Sequence, residues 1–75
     1  MKNELQIKFG QRVRELRKER GWSQEEFADK CGLDRTYVSG IERGVRNPTL
    51  EVISVLAIGL KVDIFNLFIP SNNND

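Results

Sequence analysis

The chain has 75 residues, with twelve Lys/Arg, eleven Asp/Glu, one Cys, no His and a formal net charge of +1. That length gives one domain, and a domain so small buries only about 60% of its unfolded surface, so a lone copy is marginally stable unless it associates. One Cys excludes an internal disulfide framework and suits a reducing cytosol, while the lack of His excludes familiar zinc clusters and His-based catalytic triads; no metal, cofactor or catalytic residue is expected.

The first helix is predicted from about Asn3 to Arg20. Leu5, Phe9, Val13 and Leu16 recur at spacings of four, four and three, which marks one buried face. Ile7 falls off that face and has no account in the sequence. Gly21 is expected to cap the helix, and Arg17, Lys18 and Arg20 sit near the negative end of its dipole. The opening MKNELQIKFG lacks the apolar stretch of a secretory signal. No apolar run approaches the roughly 20 residues that span a bilayer. A soluble, cytoplasmic protein with no membrane partner is expected.

Two short helices follow across a glycine turn. Ser23 caps the first and pairs with Glu26 in a capping box, which Trp22 and Phe27 flank as a hydrophobic staple. Phe27, Ala28 and Cys31 form its inner stripe, so Cys31 reads as a small core residue. Gly32 ends it, where a left-handed backbone costs least. Asp34 caps the second helix, Leu33 staples onto Val38, and Val38 with Ile41 forms the buried side up to Gly44. Ala28 lets the two helices approach, and Gly32 lets the chain reverse in about three residues, as a helix-turn-helix requires.

Residues 45–48 form a loop, closed by Pro48, which forbids a continuing helix and extends Asn47. Thr49 caps a fourth helix, Leu50 to Leu60, with Leu50, Ile53, Leu56, Ala57 and Leu60 on one side. Asp63 caps a short fifth helix ending before Pro70, with Val62 and Leu67 as its staple. The tail SNNND has nothing to bury and should be disordered. The predicted fold is all-α, a compact five-helix bundle. Its expected organisation is one domain over 1–70, a helix-turn-helix at 23–44, dimerisation helices at 49–69 and a tail at 71–75.

The stretch SQEEFADKCGLDRTYVSGIERG closely resembles the helix-turn-helix of the lambda-type Cro and repressor (XRE-like) family of bacterial regulators. LDRTYVSGIERGVRNPTL is most like the stretch carried by controller proteins of restriction–modification systems. The resemblance runs from about Phe9 to Phe68. It implies a lambda-repressor-like DNA-binding domain in which Gln24 bonds the DNA backbone and braces the recognition helix. It also implies an ion pair between Arg17 and Glu42, joining the first helix to the recognition helix, a structural role.

A recognition helix reads DNA with its N-terminal turn. Here that turn offers Arg35, Thr36 and Tyr37, with Ser39 one step further, as base-contact candidates. Arg35 can bond both O6 and N7 of guanine; the alternative is a solvated first-turn side chain. Gln24 opens the preceding helix beside free N–H groups, a natural phosphate site. Arg43, Arg46 and Asn47, just past the recognition helix, are the other phosphate candidates. Charge is distributed to match: residues 1–46 hold eleven Lys/Arg against eight Asp/Glu, and the remainder one against three.

The last two helices carry more apolar surface than one core needs. Val52, Val55 and Ile58 on the fourth, with Phe65, Phe68 and Ile69 on the fifth, are the candidate dimer interface, while Ile64 and Leu67 point inward. A two-fold dimer would set two recognition helices about 34 Å apart, one per major groove. The expected function is a homodimeric, sequence-specific regulator of transcription on a palindromic double-stranded DNA operator, a controller acting on its own promoter. If it activates, RNA polymerase is a further partner; no small-molecule ligand is expected. It would be bacterial or phage-encoded and nucleoid-associated. The alternatives are a phage Cro-like repressor, an antitoxin-type regulator, or a protein-interaction module that keeps the fold but not DNA. An enzyme is not expected, since no constellation of acid, base and nucleophile is present.

Overall fold

The structure is a computed structural model, and it describes residues 3–69. Four α-helices, α1 (Glu4–Glu19), α2 (Gln24–Cys31), α3 (Arg35–Glu42) and α4 (Leu50–Leu60), precede a 3-10 helix, Ile64–Phe68; no strand occurs among the described residues. Pro70 and the tail 71–75 lie outside the described residues.

Each helix begins where a side-chain oxygen answers a free backbone N–H. Asn3, Asp34 and Asp63 accept from the N–H two residues on, those of Leu5, Thr36 and Phe65. Thr49 accepts from Val52 three residues on. At Ser23 the bond is reciprocal: the Glu26 N–H donates to Ser23 Oγ at 3.0 Å, and the Ser23 N–H donates to Glu26 Oε1 at 2.8 Å. Trp22 and Phe27 stack beside this box, ring centroids 6.1 Å apart. Gly32 closes α2 at φ +68°, and Leu33 N–H reaches back to the Ala28 carbonyl. α1 is capped by Arg20 instead of Gly21, which follows in the left-handed region at φ +75°.

The core gathers Phe9, Val13 and Leu16 of α1, Phe27 and Ala28 of α2, Val38 and Ile41 of α3, Ile53, Leu56, Ala57 and Leu60 of α4, and Leu67. α1 and α3 pack with their backbones nearly touching. A Cβ at Gly10 would collide with the Ile41 carbonyl oxygen and lie 2.8 Å from that of Glu42. Ile7, unexplained by helical periodicity, lies against the turn after α3: a Cβ on Gly44 would stand 2.9 Å from the Ile7 Cα.

Three further expectations are corrected. Leu5 is 61% exposed, because the packed layers end at Phe9, one helical turn further in. Leu5 borders a shallow cleft shared with Phe9, Pro48, Ile53 and Phe68. Leu50 is 81% exposed: it occupies the first position of α4, a turn ahead of Ile53, where the buried face starts. The fifth helix is not α-helical. Five residues after Asp63 close on a three-residue bond, Asn66 N–H to the Asp63 carbonyl at 2.8 Å, which is the tighter 3-10 winding.

Two arginines fasten this closing segment and α4 to α1. Arg12 Nε donates to the Asn66 carbonyl at 2.8 Å while its Nη1 bonds Glu15 at 2.7 Å. Arg20 Nε donates to the Leu60 carbonyl at 2.9 Å, satisfying an oxygen that the end of α4 leaves free.

Candidate nucleic-acid interface

α3 is anchored at one end and bare at the other. Its last residue, Glu42, is buried, and Arg17 of α1 grips it with two bonds: Nε to Oε2 at 2.7 Å and Nη2 to Oε1 at 3.0 Å. Gln24 Nε2 of α2 adds a third at 3.0 Å to Oε1. Arg17 Nη1 also donates to the Trp22 carbonyl at 2.7 Å, tying the α1–α2 turn into the same cluster. A buried carboxylate would be costly alone; here a planar guanidinium and an amide satisfy it. Among the described residues no buried side-chain polar atom lacks a partner.

At the opposite end, Arg35 and Thr36 stand exposed on the first turn. Neither makes a side-chain hydrogen bond or ion pair among the described residues, so the five donors of Arg35 are available to an external acceptor. Tyr37 and Ser39 are half-buried: Tyr37 packs its ring on the core, and Ser39 Oγ accepts from Arg43 Nε at 3.4 Å. Ser39, a base-contact candidate in the sequence, is therefore less accessible than Arg35 and Thr36.

Gln24 sits on the first turn of α2, and its bond to Glu42 uses one amide N–H, leaving the second. Arg43, Arg46 and Asn47 are exposed in the turn beyond α3. Arg35, Thr36, Arg43, Arg46 and Asn47 are thus exposed on α3 and the turn that follows it, and Gln24 is half-buried where it meets Glu42. Gln6 was missed in the sequence. Its Nε2 donates to the carbonyls of Gly44 and Arg46 at 3.4 and 3.3 Å, fastening that turn to α1. A glutamine on an exposed helix gives no sign of such a reach across 40 positions. Gly10 was missed too, although a glycine inside a helix is itself a signal of close approach.

The candidate dimer residues separate by burial. Val52 packs on the core and Val55 is half-buried, its carbonyl 3.9 Å from Cys31 Sγ. Ile58, Phe65, Phe68 and Ile69 are exposed, with Phe65 at 75%, and Phe68 leans on Phe9 with centroids 5.2 Å apart. Ile64 and Leu67 face inward, as periodicity predicts. Cys31 is half-buried, and desolvation pushes its thiol above the ordinary value, which disfavours the thiolate. No helix among the described residues is long and apolar enough to cross a membrane, and no cluster of metal-binding side chains occurs among them.

Comparison with known proteins gives the family. The helix-turn-helix family model matches residues 13–67. Control protein C.MunI of Mycoplasma sp is 43% identical over 67 residues, spanning 88% of this chain and 90% of that protein. The restriction-modification controller protein C.AhdI from Aeromonas hydrophila superposes with a TM-score of 0.81 at 53% identity, over 83% of this chain and 94% of that one. A third structure, of controller protein C.Esp1396I as a tetramer on its natural 35 base-pair operator, superposes at 0.81 with 39% identity, over 88% and 87% of the two chains. A braced pair of helices, matched across most of its length, makes this chain a member of the helix-turn-helix (XRE-like) family, similar within it to the restriction–modification controllers.

Proposed function

We propose that the protein is a homodimeric, sequence-specific DNA-binding regulator of transcription, a restriction–modification controller acting on its own promoter. One observation carries this reading. α3 is locked through Glu42 to both α1 and α2, while Arg35 and Thr36 at its other end are exposed with no protein partner. A helix so held presents its first turn to the major groove at a fixed pitch. Arg35, Thr36, Tyr37 and Ser39 read bases in this account, and Gln24, Arg43, Arg46 and Asn47 hold phosphates. The second amide N–H of Gln24, beside the first turn of α2, meets a phosphate as the first N–H braces Glu42.

The exposed apolar residues on the last two helices supply the two-fold contact, in a single domain with the plan of a Cro/repressor-type bundle. Ile58 and Phe65 form its centre, with Val55, Phe68 and Ile69 around them and Val52 beneath. The protein has no catalytic role in this reading and acts on the bacterial nucleoid. The similarity to C.MunI and C.AhdI, together with the operator complex of C.Esp1396I, supports the controller assignment.

Selection from random duplex DNA, followed by titration at two salt concentrations, tests it. A palindrome with half-sites about one helical turn apart is expected, with affinity falling steeply with salt. Shallow binding without sequence preference would overturn the reading in favour of a protein-interaction module.

A further inference from the structure

Arg46 lies outside the recognition helix, yet contacts to that helix and to α1 fix it in place. Its backbone N–H donates to the Gly40 carbonyl at 3.2 Å, beside the N–H of Val45 at 3.0 Å, so the chain folds back over the end of α3. Its own carbonyl accepts from Gln6 Nε2 at 3.3 Å. Its side chain then runs over Gly40, where a Cβ would stand 2.5 Å from Arg46 Cγ, and ends with Cζ 5.8 Å from the centre of the Tyr37 ring. Any residue larger than glycine at position 40 would have to move that side chain, because the backbone of Arg46 is tied at its N–H and its carbonyl.

We propose that Gly40 is a positioning residue, and that it makes Arg46 and Tyr37 a single reading unit instead of two independent contacts. The inference rests on the DNA-binding function proposed above. A guanidinium packed on an aromatic face keeps its N–H edge free for a phosphate, and no protein acceptor takes that edge among the described residues. The ring is held in turn, so its hydroxyl meets the DNA from one fixed direction. Preorganisation of this kind spares the rotamer entropy that a loose surface arginine loses on binding.

The test is a cycle of Gly40→Ala and Arg46→Ala, singly and together, titrated against the duplex recovered from the random pool. The Arg46 methylene proton shifts of the unbound proteins are recorded alongside. Alanine favours a helix over glycine, so lost binding at an unlowered melting temperature is not a folding defect. Gly40→Ala should weaken binding about tenfold in the parent and less than about twofold once Arg46 is gone. It should also move the methylene resonances, since Arg46 Cγ and Cδ lie where the new methyl would stand. Equal loss in both backgrounds, no loss in the parent, or unmoved resonances would overturn the inference. If the parent selects no duplex, the proposed function fails, and the methylene shifts still decide whether Gly40 positions Arg46.

Discussion

Arg17 and Glu42, 25 positions apart, meet in a two-bond ion pair that is 7% and 6% exposed and joins the first helix to the end of the recognition helix. Gln24 completes the carboxylate's partners. The pitch of α3 is therefore set by a buried ion pair, and Gln24 links that pair to the proposed phosphate contacts.

Removing one partner should be far worse than removing both. Arg17→Met leaves a buried carboxylate with only an amide to answer it and is expected to cost about 3–5 kcal/mol. Arg17→Met combined with Glu42→Leu should cost less than the single change. Urea unfolding at fixed protein concentration checks both. A single-variant loss below about 1 kcal/mol would show the pair to be dispensable.

Gly10→Ala is expected to destabilise although alanine is the better helix former. The added methyl meets the carbonyls of Ile41 and Glu42, rigid backbone that cannot turn aside, and drives α3 off α1. Overpacking costs typically about 1–3 kcal/mol, more than the roughly 1 kcal/mol gained in helix propensity. A lower melting temperature is the expected outcome, and an unchanged or raised one would contradict the close helix contact.

Phe65→Lys should separate the dimer and spare the fold. The ring is 75% exposed, so within one chain its loss is expected to change stability by less than about 0.5 kcal/mol. At the centre of an interface the same change costs about 2 kcal/mol or more of association. Sedimentation equilibrium beside circular dichroism reads the two effects apart. A dimer unaffected by Phe65→Lys would move the contact to another face.

Local chemistry was legible in the sequence wherever a signal and its partner lie within a few residues. The caps at Ser23, Asp34, Thr49 and Asp63 form as read, and so does the reversal at Gly32. The outward turn of Phe65 was legible as well, because a short helix with Ile64 and Leu67 inside leaves it no other side. Periodicity names a face, but not where along the axis the core stops, which is why Leu5 and Leu50 were placed inside. The clamps of Gln6, Arg12 and Arg20 end on backbone carbonyls 38 to 54 positions away, and a carbonyl has no residue identity for the sequence to announce. Gly40 was hidden for a related reason, since the atom it makes room for belongs to the next loop.

The most direct test of the central claim compares Arg35→Ala with the parent on two duplexes, the selected palindrome and one of scrambled sequence, at the same salt. Arg35 is exposed and makes no side-chain bond among the described residues, so the fold should be unaffected. If its fork reads a guanine, the variant loses about 1–3 kcal/mol of preference for the palindrome, while binding to the scrambled duplex falls only by the small share owed to one lost charge. Equal loss on both duplexes, or none on either, would contradict a helix that reads sequence through that side chain.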